Sequence, residues 1–326
     1  MIQLFANPNF DFIGRRKWAY LLSGIATLLA LASLLVQGLR YDVDFTGGTL
    51  VQVRFERAPA VERIRAALAR VGLGDAVIQQ FGEPNEFITR LPLKGGASSQ
   101  EVGQSIQNVL GSDADLGKFE IRRVEYVGPQ VGRELQRQAI YAVLAGLLGI
   151  LIYIAVRFDL KGGAAAVVAV FHDVVVCLGA ISIAHREFSL PVLAALLTII
   201  GYSVNDTIVA YDRLRENRGK LAQRGRAFAL QMNDAVNQTL SRTILTALTT
   251  FISAFILYLF GGKVLEDFAF VLVVGVITGT YSTTYVAAAL VVDWTLSVEG
   301  RFRRSRGSRP GGTATPPARK KAALKT

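Results

Sequence analysis

The sequence has few of the residues that catalytic and metal sites need. It contains two histidines and one cysteine, too few for a zinc site built from these ligands. Cys177 has no second cysteine to pair with, so the fold cannot depend on a disulfide within the chain. Neither a Gly-x-x-x-x-Gly-Lys-Ser/Thr phosphate loop nor a Gly-x-Ser-x-Gly nucleophile motif occurs. We therefore expect no enzymatic activity, no ATP site, no metal and no cofactor.

Charged residues are also scarce, at 19% of the chain, whereas hydrophobic residues make up 51%. Soluble proteins usually carry about 25% charged residues, so this composition favours a membrane protein. The net charge of +11 would also suit a nucleic-acid-binding protein, but the basic residues lie beside apolar segments and in the C-terminal tail. That distribution indicates membrane orientation and contact with anionic lipids, and we expect no nucleic acid as a partner.

Six segments are long enough to cross a bilayer, which requires about 20 mainly apolar residues. The predicted spans are 18–37, 139–156, 162–184, 190–210, 243–260 and 268–292. Lysine and arginine are frequent in the N-terminal segment 1–17, in the loop 211–242 and in the tail 293–326, which we expect to be disordered. Because basic loops stay inside, both termini are predicted to face the cytoplasm.

The region 38–138 then lies on the outer side of the membrane, and its pattern is typical of a small α/β domain. Amphipathic helical segments follow Pro59 and Ser98, and strand-like segments lie at 49–55, 76–81, 86–91 and 118–127. The order β-α-β-β-α-β is that of a ferredoxin-like fold. The sequence therefore predicts six transmembrane helices and a ferredoxin-like domain outside the membrane.

Asp206 is the most informative residue, because it lies within the apolar span 190–210. An ionisable side chain in hydrocarbon costs roughly 2.5–3.5 kcal/mol on insertion scales and normally has a function. The neighbouring Ser203 and Asn205 are polar side chains that could pair with the carboxylate or admit water. We therefore predict that Asp206 takes up and releases protons.

Helix rise places three polar residues of successive spans in one layer of the membrane. At about 1.5 Å per residue, Asp206, Arg242 and Thr283 lie roughly 24, 27 and 22 Å from the outer ends of their spans. An Asp206–Arg242 ion pair would favour the charged carboxylate, whereas burial alone favours the neutral one. A switch between these arrangements would bind and release a proton. Without Asp206 at matching depth, Arg242 would instead be a boundary arginine whose side chain snorkels to lipid.

His172 and Asp173 lie in the third span, nearer the midplane than the Asp206 layer. Intramembrane polar residues serve as proton relays and as structural pairs, and the sequence leaves both roles open for these two. Ser203, Asn205 and Thr283 are further candidates for a relay or for polar support of the site.

Several long motifs, in this order, resemble the SecF family, whose members are the smaller partners of SecD in bacterial Sec export and relatives of the RND transporters. The similarity runs from about Asn9 to Val292, and departs mildly in the sixth span, where an expected proline is missing. The motifs are Asp44-Phe45-Thr46-Gly47-Gly48, Val127–Leu135, Gly201–Glu216, Asn237–Thr243, Gly261–Phe270 and Gly279–Ser282.

This resemblance implies a SecDF complex in the bacterial cytoplasmic membrane. Such a complex uses the proton-motive force to draw preproteins across after the SecA ATPase has pushed them through SecYEG. The implied partners are SecD, SecYEG, YajC, membrane lipids and the preprotein substrate, and the coupling ion is H⁺. The resemblance also implies that Asp206 and Arg242 conduct protons, and that residues 44–48 form a periplasmic hinge motif.

Two other hypotheses share some of these features. An RND-type exporter of small molecules or lipids would have similar spans and a similar aspartate. Its outer domains are usually much larger, since a ligand pocket alone needs about 300–1,000 Å³. A scaffold that only holds emerging chains would need one anchoring span, so six spans with aligned charges count against it.

Overall fold

The computed structural model describes residues 8–74, 76–91, 99–220 and 226–307, which form a bundle of long helices and one small α/β domain. In chain order the elements are α1 (Arg16–Val36), β1 (Arg40–Tyr41), α2 (Val43–Thr46), β2 (Gly48–Phe55), α3 (Val61–Ala69), β3 (Val77–Gln80), β4 (Glu86–Leu91), α4 (Ser99–Ser112), β5 (Phe119–Val127), α5 (Pro129–Arg157), α6 (Leu160–Ile183), β6 (Glu187–Phe188), α7 (Leu190–Gly219), α8 (Phe228–Phe260), α9 (Gly262–Ser282) and α10 (Ala288–Gly307).

Among the described residues, six helical segments are long and apolar enough to cross a membrane. Helices α1, α5, α6, α7 and α8 supply one segment each. The sixth joins α9 to α10 through a π-helical turn at Thr283–Ala287. The predicted polytopic helical fold is therefore confirmed.

Several helices extend beyond the spans predicted from hydropathy. Helix α7 continues to Gly219 and α8 begins at Phe228, so most of the expected loop 211–242 is helical. These extensions still bury apolar side chains, including Leu214 and Met232, in the same core as the spans. Helix α10 likewise continues to Gly307, into the tail for which we expected disorder. Residues 308–326 of that tail lie outside the described residues.

The α/β domain has a four-stranded antiparallel sheet in the order β3-β4-β2-β5. Val51, Val53 and Phe55 alternate along β2 and join one buried core with Ile64 and Leu68 of α3, as the two-residue period of a strand requires. The chain order β2-α3-β3-β4-α4-β5 is the predicted β-α-β-β-α-β arrangement, so the ferredoxin-like fold is confirmed.

Small residues allow neighbouring helices of the bundle to approach closely, as is common between membrane helices. A Cβ atom added at Gly275 of α9 would lie 2.4 Å from Cγ1 of Ile199 in α7, and one added at Gly279 would lie 3.2 Å from Cβ of Ser203. This close packing of α9 against α7 places the π-helical turn beside the polar part of α7.

Gly179→Ala is expected to destabilise the bundle, because its added Cβ would lie 2.3 Å from Cβ of Ala30 in α1. Overpacking of this kind typically costs about 1–3 kcal/mol. The matched control is Gly24→Ala in α1, where nothing lies within 4 Å of the added atom. Thermal unfolding in detergent should show a lower midpoint for Gly179→Ala alone, and equal midpoints for the two variants would refute the packing argument.

Candidate functional site

The carboxylate of Asp206 in α7 is almost completely buried, with 2% of the residue exposed. Its Oδ2 atom accepts no hydrogen bond from any residue that the structure describes. Buried polar atoms are normally bonded, and an unpaired buried charge is particularly costly. The structure therefore places Asp206 inside the bundle rather than towards lipid, in an arrangement where its carboxylate has no bonded partner on Oδ2.

Arg242 in α8 is exposed. Within the described part of the chain, no ion pair of 4.0 Å or less joins it to Asp206. The two groups are nevertheless close enough to interact electrostatically. The two members of the predicted pair are thus neighbouring ionisable groups that form no direct ion pair in the described structure.

Asp173 in α6 is fully buried and connects three helices through hydrogen bonds. Its Oδ1 lies 3.1 Å from Nδ1 of His172. Its Oδ2 accepts from Oγ of Ser203 in α7 at 2.7 Å and from Oγ of Ser282 in α9 at 2.6 Å. One carboxylate therefore holds the polar sides of α6, α7 and α9 together. The other ring nitrogen of His172, Nε2, is buried without a partner among the described residues.

Hydroxyl groups continue from Asp173 towards Asp206. Oγ1 of Thr283 donates to the carbonyl oxygen of Ser203 at 3.2 Å and lies 3.2 Å from Oγ1 of Thr207. Thr283 begins the π-helical turn, a local geometry that is frequent at functional sites. We call the following residues the polar cluster: His172, Asp173, Ser203, Thr207, Ser282 and Thr283.

Helix geometry explains which predicted residues the structure brings together. Ser203, Asp206 and Thr207 have the i, i+3, i+4 spacing that puts side chains on one helix face. Asn205 precedes Asp206 and is therefore turned about 100° from it around the helix. It is exposed on α7 and lies outside the polar cluster. We expected His172 and Asp173 nearer the midplane than Thr283. Asp173 bonds directly to Ser203, which Thr283 also contacts, so these residues meet at one site. Their relative depths in the membrane stay a prediction.

Sequence reasoning did not select Thr207 and Ser282 as site residues. Both carry hydroxyl groups directly beside a residue that was selected, Asp206 or Thr283, and that adjacency was the available signal. Among the described residues, no group of three or more His, Cys, Asp or Glu side chains is placed to hold a metal ion. That no cofactor is needed stays a prediction.

The motif Asp44–Gly48 lies where the α/β domain meets the bundle. Gly47 and Gly48 have φ angles of +73° and +151°, which residues other than glycine rarely adopt. The motif also packs tightly, because Phe45 is 1% exposed and its carbonyl oxygen accepts from Nε2 of Gln136 in α5 at 2.8 Å. The structure thus shows a tightly packed turn at the position of the predicted hinge motif.

A charged cluster around Arg90 of β4 spans the same junction. Nε of Arg90 lies 2.9 Å from Oδ1 of Asp42, Nη2 lies 2.7 Å from Oε2 of Glu187, and Nη1 donates to Oε1 of Gln79 at 2.8 Å. Burial raises the pKa of Glu187, and the positive charge of Arg90 acts against that rise. Arg90 therefore favours the charged form of Glu187 in a largely enclosed position.

The junction also reaches the helix that carries Asp206. Oδ2 of Asp44 accepts a hydrogen bond from the backbone N–H of Leu190, the first residue of α7, at 3.4 Å. Burial raises the pKa of Asp44, and the neighbouring charge of Asp42 adds to that rise. Leu190, which makes this contact, and Asp206 therefore lie on the same continuous helix.

The comparisons with known proteins first define a class. Residues 107–297 match the family described as "Protein export membrane protein SecD/SecF, C-terminal", and residues 32–59 match the "SecD/SecF GG Motif". The first match covers more than half of the chain and includes every membrane helix except α1. The fold and the site therefore belong to a protein-export membrane protein of the SecD/SecF class.

Full-length relatives narrow this class. The protein translocase subunit SecF of Desulfurispirillum indicum is 46% identical over 287 residues, which cover 87% of this chain and 91% of the relative. The protein of the same name from Escherichia coli O157:H7 is 37% identical and covers 87% of each chain. The chain belongs to the SecF family of protein translocase subunits.

Solved structures agree with this family. The crystal structure of SecDF from Thermus thermophilus aligns with a TM-score of 0.78 and 40% identity over 89% of this chain. A SecDF crystal structure in the super-membrane-facing form aligns with a TM-score of 0.70 and 39% identity. The chain spans only 39% and 41% of those two chains. These relatives support the protein-export hypothesis and not the RND-type exporter hypothesis.

Asp173→Ala should destabilise the protein, because it removes the acceptor of His172, Ser203 and Ser282. Each buried polar group left unbonded costs about 1–3 kcal/mol. The control is Asp212→Ala, which removes a mostly exposed ion pair with Arg157 worth about 0–1 kcal/mol. Denaturation midpoints should fall clearly for the first variant only. If the midpoint of Asp173→Ala fell no further than that of Asp212→Ala, the Asp173 bonds would contribute no more to stability than the exposed ion pair.

Proposed function

We propose that this chain is the SecF subunit of a SecDF complex that uses the proton-motive force to draw preproteins across the bacterial cytoplasmic membrane. Membership of the SecF family supports the export role and a SecD partner. The proposal adds SecYEG and YajC as neighbours, H⁺ as the coupling ion and no further cofactor. The observation that carries the proton role is the buried Oδ2 of Asp206, which has no bonded partner within the described chain.

In this proposal, Asp206 alternates between two electrostatic surroundings. Enclosure in the bundle favours a neutral carboxyl group, whereas approach of the Arg242 guanidinium favours the carboxylate. A small relative movement of α7 and α8 would then bind or release one proton. The hydroxyls of Thr207 and Thr283 can both donate and accept hydrogen bonds, so they offer a path for the proton beside the carboxyl group.

The movement has a direct mechanical route to the α/β domain. Helix α7 runs unbroken from Leu190, at the domain junction, past Asp206 to Gly219. One proton that crosses a potential of 100 mV releases about 2.3 kcal/mol. That energy is comparable to the cost of breaking a few of the polar contacts at the junction, each worth about 0.5–1.5 kcal/mol.

The proposed orientation places both termini in the cytoplasm and the α/β domain outside. Helix α7 ends in a basic segment at the end of the bundle opposite the domain, and there Arg157 at the end of α5 pairs with Asp212. Basic residues beside membrane spans are retained on the cytoplasmic side. The α/β domain is then positioned to meet a preprotein as it emerges.

Asp206→Asn is expected to abolish the part of preprotein export that depends on the proton gradient, because the amide cannot bind and release a proton. The measurement is the late, ATP-independent movement of a trapped preprotein in vesicles, with and without a gradient. Export by the variant should fall to the level that the wild type shows without a gradient.

The control is Asp212→Asn, which changes an exposed aspartate of the same helix and should export like the wild type. Membrane insertion and co-purification with SecD should be unchanged in both variants. Normal gradient-dependent export by Asp206→Asn would contradict the proton role and would favour a domain that only holds the emerging chain.

A further inference from the structure

The proposed proton reaction does not use Arg90, although every nitrogen of its guanidinium group has a bonding partner. All three guanidinium nitrogens are engaged, by Asp42, Glu187 and Gln79. The side chains of Arg90, Asp42 and Glu187 are only 16%, 14% and 16% exposed. Among the described residues, no other arginine–carboxylate pair is this well enclosed. Such a geometry suits arginine, whose planar fork can hold several acceptors at once.

The bond from Arg90 to Glu187 crosses a boundary between two parts of the fold. Arg90 belongs to the sheet of the α/β domain, whereas Glu187 lies in the loop between α6 and α7. Arg186 fixes that loop to the bundle through Asp267, at 2.6 Å, and its guanidinium lies over the ring of Phe270. Glu187 is therefore an anchor on the bundle rather than part of a freely moving loop.

Apart from the tightly packed Asp44–Gly48 motif, the remaining contact between domain and bundle is sparse. A cleft of about 570 Å³ separates the sheet from the outer end of the bundle, and Arg90 and Glu187 line it. Strands β1 and β6 pair over only two residues each. Outside that motif, the position of the domain depends on a few polar contacts, and those of Arg90 are the most enclosed.

Breaking a buried ion pair is costly, although the intact pair adds little net stability. A pair of this kind specifies a geometry more than it stabilises a fold. We propose that Arg90 is a positioning residue that latches the α/β domain onto the loop between α6 and α7, and that the domain swings about the Asp44–Gly48 motif when the latch opens. The latch itself does not depend on the proton reaction.

The test measures the position of the domain directly. Spin labels are placed at Arg65 of α3 and Leu160 of α6, both exposed, after Cys177, which is buried, has been replaced by Ala. Pulsed electron paramagnetic resonance then gives the distance distribution in the full-length chain, co-purified with SecD in lipid nanodiscs. In Arg90→Glu, the ratio of the population at the wild-type distance to the population at all other distances should fall at least tenfold. Glu187→Gln, which leaves the domain sequence intact, should shift the distribution in the same direction.

Two variants separate a latch from a general loss of stability. The control Arg54→Glu breaks a more exposed ion pair, with Glu83 inside the domain, and should keep the wild-type distance. The combined variant Arg90→Glu, Glu187→Arg and Asp42→Asn restores opposite charges across the junction without placing two carboxylates together, and it should recover that distance. A wild-type distribution in both Arg90→Glu and Glu187→Gln would overturn the proposal. So would failure of the exchanged pair to recover the distance while the domain remains folded.

Discussion

The buried Oδ2 atom of Asp206 has no hydrogen-bond partner among the residues that the structure describes, and this is the constraint on which the functional account depends. A charge held in this way is unfavourable, so the group gains by becoming neutral or by meeting a cation. Arg242 is a neighbouring cation, and among the described residues it forms no ion pair with Asp206, so both options are available. The surrounding bundle has close helix contacts at glycine positions such as Gly275 and Gly279. In our proposal, a small movement of α7 changes which option is favoured.

Helix α7 connects Asp206 with the junction between the bundle and the α/β domain. One end contacts the Asp44–Gly48 motif through Leu190, and Asp206 lies further along the same continuous helix. The polar cluster ties α7 to α6 and α9 near Asp206, whereas the Arg90 cluster ties the α/β domain to the loop in front of α7. Asp206 and the contact with the α/β domain therefore lie on one continuous helix, which is the route that our proposal uses to link the carboxyl group to the domain.

Much of this could be predicted from the sequence, for clear physical reasons. Apolar length sets the six spans, and the alternation of Val51, Val53 and Phe55 sets the sheet face. Hydropathy could not show that α7 and α8 continue past the membrane, because those turns mix polar and buried apolar residues. The ionisable residues Asp206 and Asp173 could be selected as candidates from the sequence, because an ionisable residue is rare within an apolar span. Among the hydroxyl residues, Ser203 and Thr283 were selected from the sequence but Thr207 and Ser282 were not. The junction ion pairs were also missed, because such residues are common and their meeting depends on tertiary packing.

The most direct test of the account is infrared difference spectroscopy of the full-length chain in vesicles, recorded as a proton gradient is imposed. A protonated carboxyl group absorbs separately from a carboxylate, so a change in its occupancy is visible. The account predicts a carboxyl band that changes with the gradient and that is lost in Asp206→Asn. A gradient-dependent band that persists in that variant, or no such band in the wild type, would contradict it.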